Sequence, residues 1–139
     1  MDNEIVNRVA KSALITIDLD TFYPKGKHIE IDISTWLFQG LVVREKEFRA
    51  SLKEHDWSQY QDAYVSLICS TDAIIPGWAN LLITTYLQPY AKLTCIGSKK
   101  DLDLIYFTQQ IENLELSTYQ DKPVIINGCN DCDIPDSAF

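Results

Sequence analysis

The stretch from Tyr64 to Gly97 restricts the fold of this chain more than any other. It begins with a short apolar run, residues 64–70, which is typical of a strand buried on both faces. Pro76 suits the first turn of a helix, and residues 78–90 are apolar around most of a helical circumference. A second apolar run follows at 92–97. Because two strands of one sheet that are joined through a helix run parallel, this stretch predicts a strand–helix–strand unit at the centre of an α/β fold.

The helix of this unit is predicted to be largely enclosed. Its only polar stripe consists of Asn80, Thr84 and Gln88, spaced one turn apart. Apolar side chains cover most of the rest of the helix, which favours burial on most sides. Pro89 lies where the last helical turn is expected to loosen.

Two runs that precede the unit, residues 15–20 and 29–34, alternate apolar and polar residues. This alternation is typical of strands with one face in water. The turn residues at 24–26 between the runs favour an antiparallel pair with a longish loop.

A helix is predicted over residues 43–55, between these runs and the strand–helix–strand unit. Leu41, Phe48 and Leu52 are expected to face inward, and Glu45 and Arg49 to form a favourable pair one turn apart. The spacing of the apolar side chains therefore separates a buried face from a charged one.

A third helix and a last strand complete the pattern. The helix is predicted over residues 98–114, with Ser98 and Asp101 as an approximate capping box, and Pro123 to Asn127 is a third apolar strand. The order is β, β, α, β, α, β, α, β, which predicts one α/β domain, residues 1–139, with a mixed sheet. Its parallel core strands are predicted near residues 64–70, 92–97 and 122–127. No internal repeat is predicted.

Composition excludes several classes of protein. A net charge of -8 argues against nucleic acid and anionic membranes as partners, because both require clustered Lys and Arg. No apolar run approaches the roughly 20 residues of a membrane span, and the first residues lack the basic start and apolar core of a signal peptide. We therefore expect a cytoplasmic protein whose four cysteines are thiols or ligands and not disulfides.

Several blocks of sequence, in order, resemble an uncharacterised bacterial family known as domain of unknown function 2480. The blocks are Glu4–Ala10, Trp36–Gly40, His55–Tyr60, Cys69–Pro76 with Trp78–Ala79, Gln88–Ala91 and Gly128–Cys129. The resemblance implies no activity. It implies that members continue beyond the point matching Phe139, so that this chain lacks a C-terminal extension, and it suggests a link with iron–sulfur cluster assembly.

A second resemblance concerns the architecture. The element order, residues 73–82 and residues 92–97 look like the sulfate-transporter and anti-sigma-antagonist domain. In that domain the turn before the matching helix carries a phosphorylatable Ser or Thr. Here Ile75, Pro76 and Gly77 occupy the turn, and Ser70 and Thr71 lie too early, so the resemblance implies the fold without the phosphorylation switch.

The sequence places four candidate ligands at the carboxyl edge of the predicted sheet, where open α/β sheets bind ligands. They are Cys69, Asp72, Cys129 and Cys132. Cys129 and Cys132 have the C-x-x-C spacing that lets two thiolates bind one metal ion or form a reactive disulfide. If the strands that precede them are neighbours, Cys69 supplies a third sulfur and Asp72 or Asp133 a hard oxygen. Zinc or iron is the metal that this set predicts.

Cysteine catalysis has less support. A nucleophilic Cys69 needs a base, and neither His28, in an exposed strand, nor His55, at a helix end, is expected to reach the carboxyl edge. Asp72 has two interpretations, a general base or a turn-forming residue, of which the second is favoured. Cys95, in mid-strand, is expected to be a small buried hydrophobic residue.

These observations favour a non-enzymatic binding or scaffold module that binds a protein partner or a metal through the carboxyl edge of its sheet. The alternative is a thiol-dependent enzyme or a metal- or sulfur-handling protein that uses Cys69, Cys129 and Cys132. A third interpretation is a structural subunit whose truncated C-terminus completes a homodimer.

Overall fold

A computed structural model describes residues 14–129 and 132–139 of the chain. The segment Glu4–Ala10, which forms part of the family resemblance, lies outside these residues. The chain divides into two compact units. We call residues 24–106 the central unit, and the described residues before and after them the terminal unit.

The described residues form five strands and three helices, with short 3-10 turns between them. The strands are β1 (Ile15–Asp18), β2 (His28–Asp32), β3 (Tyr64–Ile68), β4 (Leu93–Ile96) and β5 (Val124–Asn127), and the helices are α1 (Glu45–Glu54), α2 (Gly77–Leu87) and α3 (Lys99–Glu112). The predicted α/β class and its parallel strands are thus confirmed. None of these helices is both long and apolar enough to cross a bilayer.

The central unit contains a three-stranded sheet in the order β2, β3, β4. Strand β3 pairs in parallel with both neighbours, with Val65 opposite Ile29 on one side and Thr94 on the other. The strand–helix–strand prediction for residues 64–97 is therefore correct. Strand β3 is buried along nearly its whole length, as a central strand covered on both faces must be.

One face of this sheet carries the main hydrophobic core. Val65 and Leu67 of β3 pack with Phe48 and Leu52 of α1 and with Ile83 of α2, and all five are fully or almost fully buried. The i, i+4 spacing of Phe48 and Leu52 puts both on the same face of α1, as the sequence predicts. The predicted Glu45–Arg49 pair is also present, at 3.1 Å.

The helix ends follow from local chemistry. Helix α2 ends at Leu87, two residues before Pro89, which has no N–H to donate to an earlier carbonyl. Before α3, the Ser98 N–H donates to Asp101 Oδ2 at 2.8 Å, and the Asp101 N–H donates to Ser98 Oγ at 3.3 Å. The predicted capping box is therefore confirmed.

The terminal unit contains a two-stranded sheet in which β1 pairs in parallel with β5. Ile15 lies opposite Val124, and Asp18 lies opposite Asn127. Leu19, directly after β1, is almost completely buried. All residues of β5 are exposed to a substantial degree, which differs from the buried strand that its apolar sequence predicts.

Two pairing predictions were wrong. Residues 15–20 and 29–34 do not form an antiparallel pair, because β1 and β2 belong to different sheets and each pairs in parallel with a later strand. The strand at 124–127 does not join β3 and β4. The physical reason is that β1 leads into a 3-10 turn that buries Leu19, not into a hairpin turn that would return the chain along the same edge.

A short internal repeat underlies the two strands, contrary to the sequence-based expectation. Residues 15–22, Ile-Thr-Ile-Asp-Leu-Asp-Thr-Phe, match residues 29–36, Ile-Glu-Ile-Asp-Ile-Ser-Thr-Trp. In both copies the Asp side chain accepts the N–H two residues later, at 3.0 Å. In both copies the Thr hydroxyl donates to the carbonyl of that Asp. The repeat therefore encodes the same ending for each strand.

Candidate functional site

A polar network occupies the carboxyl edge of the three-stranded sheet. Asp32, the last residue of β2, accepts the N–H of Ser34 at 3.0 Å and the N–H of Ser70, beyond the end of β3, at 3.1 Å. Hydrogen bonds from the Ser70 side chain, and then from the Ser34 side chain and both N–H groups, lower the pKa of Asp32 to about 2 despite partial desolvation. The carboxylate thus ties the segments that follow two adjacent strands together.

The network continues from Ser70 through the next loop. Ser34 Oγ lies 3.2 Å from Ser70 Oγ. The Thr71 hydroxyl donates its one proton to the Gly40 carbonyl. Cys69 Sγ lies 3.3 Å from Thr71 Oγ1, whose proton is engaged with Gly40, so the sulfur is on the donor side of that contact.

Gly40 belongs to a tight hairpin between Phe38 and Val42. The Phe38 N–H donates to the Val42 carbonyl at 2.8 Å, and the Leu41 N–H donates to the Phe38 carbonyl at 3.0 Å. Both central residues have positive φ, 52° at Gln39 and 71° at Gly40, as in a type I′ turn. The hairpin holds Leu41 and Val42 more than half exposed, so the prediction that Leu41 faces inward was wrong.

The loop between β3 and α2 presents one apolar side chain to solvent. Ala73 and Ile75 pack against the core, whereas Ile74 between them is 91% exposed. Leu81 of α2 is also more than half exposed, and Trp78 is about one-third exposed, so α2 is less enclosed than predicted. The anchored neighbours fix the backbone on both sides of Ile74, which leaves its side chain in water.

We call the exposed apolar residues of the hairpin, the loop and the first turns of α2 the apolar surface. Its members are Phe38, Leu41, Val42, Ile74, Trp78 and Leu81. The hydrogen bond from Thr71 to Gly40 joins the hairpin to the loop. These residues therefore lie on segments that are connected to each other at one edge of the sheet.

Two arginines of the α1 region border the apolar surface. The Arg44 guanidinium carbon lies 3.2 Å from the centroid of the Phe38 ring, and that of Arg49 lies 5.1 Å from the centroid of Trp78. Each arginine also pairs with a solvent-exposed glutamate of α1. The ring of Trp78 meets Phe48 of the core edge to face at 5.8 Å. Trp78 is thus held on its buried side and open on the other.

The predicted ligand set is divided between the two units. Cys69 and Asp72 belong to the central unit, and Cys129 and Cys132 to the terminal unit. Cys69 and Cys129 follow strands β3 and β5, which belong to different sheets. The direction of the strands therefore does not place the two cysteines on a common edge. Among residues 14–129 and 132–139, no three His, Cys, Asp or Glu side chains are grouped so that they could hold a metal ion. The metal site remains a prediction.

Both histidines are hydrogen-bonded to residues other than Cys69. His28 Nε2 is 2.9 Å from Ser66 Oγ, in the middle of β3, and His55 Nε2 is 2.7 Å from Tyr60 Oη. Cys95 is buried, as expected for a small apolar residue, and burial raises the pKa of its thiol. No histidine is therefore hydrogen-bonded to Cys69 in the described part of the chain.

The residues that organise this site were not predicted from the sequence. Asp32 and Ser34 were assigned to one alternating strand, although the Asp-x-Ser-Thr order at 32–35 is typical of a side chain that caps its own turn. The recurrence of this pattern after Asp18 was the available signal. Gln39 and Gly40 likewise indicated a turn with positive φ.

Comparisons with known proteins give the family of the chain. No curated protein and no solved structure matches it significantly. One family model, described as "Protein of unknown function (DUF2480)", matches residues 3–139. Because this match covers nearly the whole sequence, the chain belongs to the DUF2480 family of proteins of unknown function.

Proposed function

We propose that this protein is a non-enzymatic binding module that contacts a protein partner through the carboxyl edge of its three-stranded sheet. The observation that carries the proposal is the apolar surface, above all Ile74, which is 91% exposed between two residues anchored in the core. Large apolar side chains exposed near one another are typical of interaction sites, because water disfavours them unless a partner covers them.

The composition of this surface supports a protein partner. Trp78 and the two bordering residues Arg44 and Arg49 are of the types that contribute most of the energy in protein interfaces. The network around Asp32 fixes the loops before binding, so that little conformational entropy is lost when a partner docks. We propose further that the protein is bacterial and cytoplasmic. A fold similar to that of the anti-sigma-antagonist domain is compatible with a protein-binding role.

Non-enzymatic action is the better proposal for the central unit. Cys69 Sγ contacts the Thr71 hydroxyl, and the histidines are hydrogen-bonded to other residues, Ser66 and Tyr60. A cysteine nucleophile needs an adjacent base that accepts the thiol proton. The contacts described for Cys69 supply none.

Charging the apolar surface is expected to abolish partner capture. In an Ile74→Asp variant, a carboxylate that must be desolvated replaces the most exposed apolar side chain, which weakens binding by roughly tenfold or more. The measurement is a pull-down from native extract, quantified for each captured protein with wild type and variant side by side. Leu116→Asp makes the same change at a residue that is 71% exposed in the terminal unit.

The comparison between these two variants tests the proposal. A protein that wild type and Leu116→Asp capture equally, and that Ile74→Asp does not, supports the carboxyl edge as the binding surface. Equal capture by all three, or a profile indistinguishable from an empty resin, argues against it. Capture of the chain itself by wild type alone would identify a homodimer as the partner.

We propose metal or thiol chemistry as the second candidate, with Cys129 and Cys132 as the central residues. Cys129 has a φ of 58°, a backbone conformation that non-glycine residues rarely adopt and that is enriched at functional sites. Its sulfur lies 3.8 Å from the Ile134 carbonyl, a long contact. A thiol in this position, three residues before a second one, suits zinc or iron.

Elemental analysis tests the second candidate. If it is correct, protein purified without chelator contains about one zinc or iron ion per chain, and Cys129→Ala removes it because a thiolate ligand is lost. Cys69→Ala and Asp72→Asn then show whether the central unit contributes ligands. Metal-free protein with a thermal melt that zinc does not change would exclude the metal site of this candidate.

A further inference from the structure

A shallow cavity of about 410 Å³, widely open to solvent, lies in the central unit, between the last turns of α2 and the start of β4. Its lining residues are Thr84, Thr85, Gln88, Ala91, Lys92, Leu93 and Thr94. The volume falls in the range of small-molecule sites, roughly 300–1,000 Å³. None of these residues belongs to the apolar surface. The cavity is therefore separate from the surface that we propose to bind a partner.

The cavity has one cationic group and no acidic one. Lys92 is the only charged residue of the lining, in a chain that has 20 acidic and 12 basic residues. No ion pair involves Lys92 within the described residues, and its ammonium lies 6.0 Å from the Tyr64 ring, at the outer limit of a cation–π contact. The ammonium is therefore available for a carboxylate or another small anion.

The wall of the cavity that α2 forms presents hydrogen-bond acceptors. The hydroxyl of Thr84 donates to the Leu81 carbonyl at 2.7 Å, and that of Thr85 donates to the Leu82 carbonyl at 2.6 Å. With its proton engaged, each hydroxyl oxygen offers only lone pairs to a ligand. The wall thus favours a ligand that donates hydrogen bonds.

The end of α2 adds negative character to the same wall. The C-terminus of a helix carries partial negative charge, because its last carbonyls lack helical donors. The Thr85 carbonyl would pair with the N–H of residue 89, but that residue is Pro89, which has none. This wall therefore disfavours a simple anion and favours a positively charged donor.

We propose that the cavity binds a small zwitterion, a molecule that carries both a carboxylate and an ammonium group, as a free amino acid does. Its carboxylate pairs with the Lys92 ammonium, and its ammonium donates to the hydroxyl oxygens of Thr84 and Thr85 at the end of α2. The Gln88 amide, which both donates and accepts, lies on the same lining and suits either end of the ligand.

The test is a titration of the full chain with free amino acids, followed through backbone amide resonances. The probes are the standard L-amino acids, each up to about 10 mM, with acetate and methylamine as single-charge probes; a Kd of about 1 mM is the expected scale. Binding of at least one amino acid with saturable shifts at residues 84–94, and no comparable binding of acetate or methylamine, supports the proposal. No saturable binding of any amino acid overturns it, and so does equal binding of acetate, which would indicate a simple anion site.

Three variants separate the two walls. Lys92→Gln removes the positive charge and keeps a polar, somewhat shorter side chain, and we expect it to weaken binding by about tenfold or more, the scale of a charged hydrogen bond. A double variant, Thr84→Val with Thr85→Val, removes both hydroxyl oxygens at nearly constant volume and is expected to weaken amino-acid binding to a similar extent. Lys46→Gln makes the same charge change at an exposed position of α1, outside the lining.

A loss of affinity is meaningful only in a variant that folds. Each is compared with wild type by amide spectrum and thermal melt before titration. Unchanged affinity in folded Lys92→Gln, or a loss as large in Lys46→Gln, would overturn the assignment of the carboxylate to Lys92. If a variant does not fold, the wild-type titration with the single-charge probes decides the proposal.

Discussion

Replacing Phe48 by alanine is expected to lower the free energy of unfolding by about 3–5 kcal/mol, the range for a large aromatic residue removed from a core. Phe48 is 0% exposed and lies in the main core between α1, α2 and the sheet. Its ring also meets that of Trp78 edge to face at 5.8 Å. The truncation leaves a cavity that rigid neighbours on three elements cannot fill. The lost transfer free energy of the ring and the free-energy cost of the cavity therefore add.

The measurement is chemical denaturation of wild type and variant, with the midpoint and slope compared. The control is Phe38→Ala, the same chemical change at a ring that is more than one-third exposed. We expect that control to cost much less than Phe48→Ala, because its ring already contacts water. Equal losses at the two positions would show that the packing around Phe48 does not hold the central unit together. Because the Trp78 ring packs against Phe48, we also expect Phe48→Ala to weaken partner capture.

Replacing Asp32 by alanine is expected to cost about 2 kcal/mol of stability. The change removes a side-chain cap and leaves the N–H groups of Ser34 and Ser70 without their acceptor. Loss of this carboxylate also releases the segment after β2 from the segment after β3. We therefore expect faster amide hydrogen exchange at residues 33–35 and 69–72 in the variant, measured against wild type at equal pH.

The same carboxylate predicts a defined response to acid. Its pKa is lowered from 3.8 to about 2 in the folded protein, chiefly by the Ser70 side chain. Because the folded-state value lies below the unfolded one, the stabilisation is fully present above pH 3.8 and is lost as the pH falls towards 2. Denaturation midpoints measured across this range should fall more steeply for wild type than for Asp32→Ala.

The control for this response is Asp72→Asn, at an exposed carboxylate for which the described part of the chain shows no hydrogen bond. This variant is expected to keep the steepness of wild type. If Asp32→Ala retains the full acid dependence, the carboxylate is not the group that links the two segments.

Local patterns in the sequence were sufficient to predict the central strand–helix–strand unit. The apolar run of β3 cannot be solvated on either face, the spacing of Phe48 and Leu52 gives α1 one buried side, and Pro89 limits the length of α2. The Ser98–Asp101 box was also predictable. Each of these features depends on residues within one or two turns of each other, where backbone geometry and hydrogen-bond chemistry leave few alternatives.

The candidate site could be predicted only in part. Cys69 and the loop at 69–76 were placed correctly at the carboxyl edge, because parallel strands end there. The residues that build the edge were not, since Asp32 and Ser70 are far apart in sequence and meet only when β2 pairs with β3. Leu41 was expected inside because its spacing fits α1, but the turn at Gln39 and Gly40 carries it outward.

The sequence by itself determined which segments are strands and helices, which of their faces are apolar and where the helices end, because these depend on side-chain periodicity and local capping. The tertiary structure alone decided which strands are neighbours, and so that β1 pairs with β5, and β2 with β3. Strand pairing is made by main-chain hydrogen bonds that every residue type offers except proline. Partners are therefore selected by how whole surfaces pack, and no short stretch of sequence contains that information.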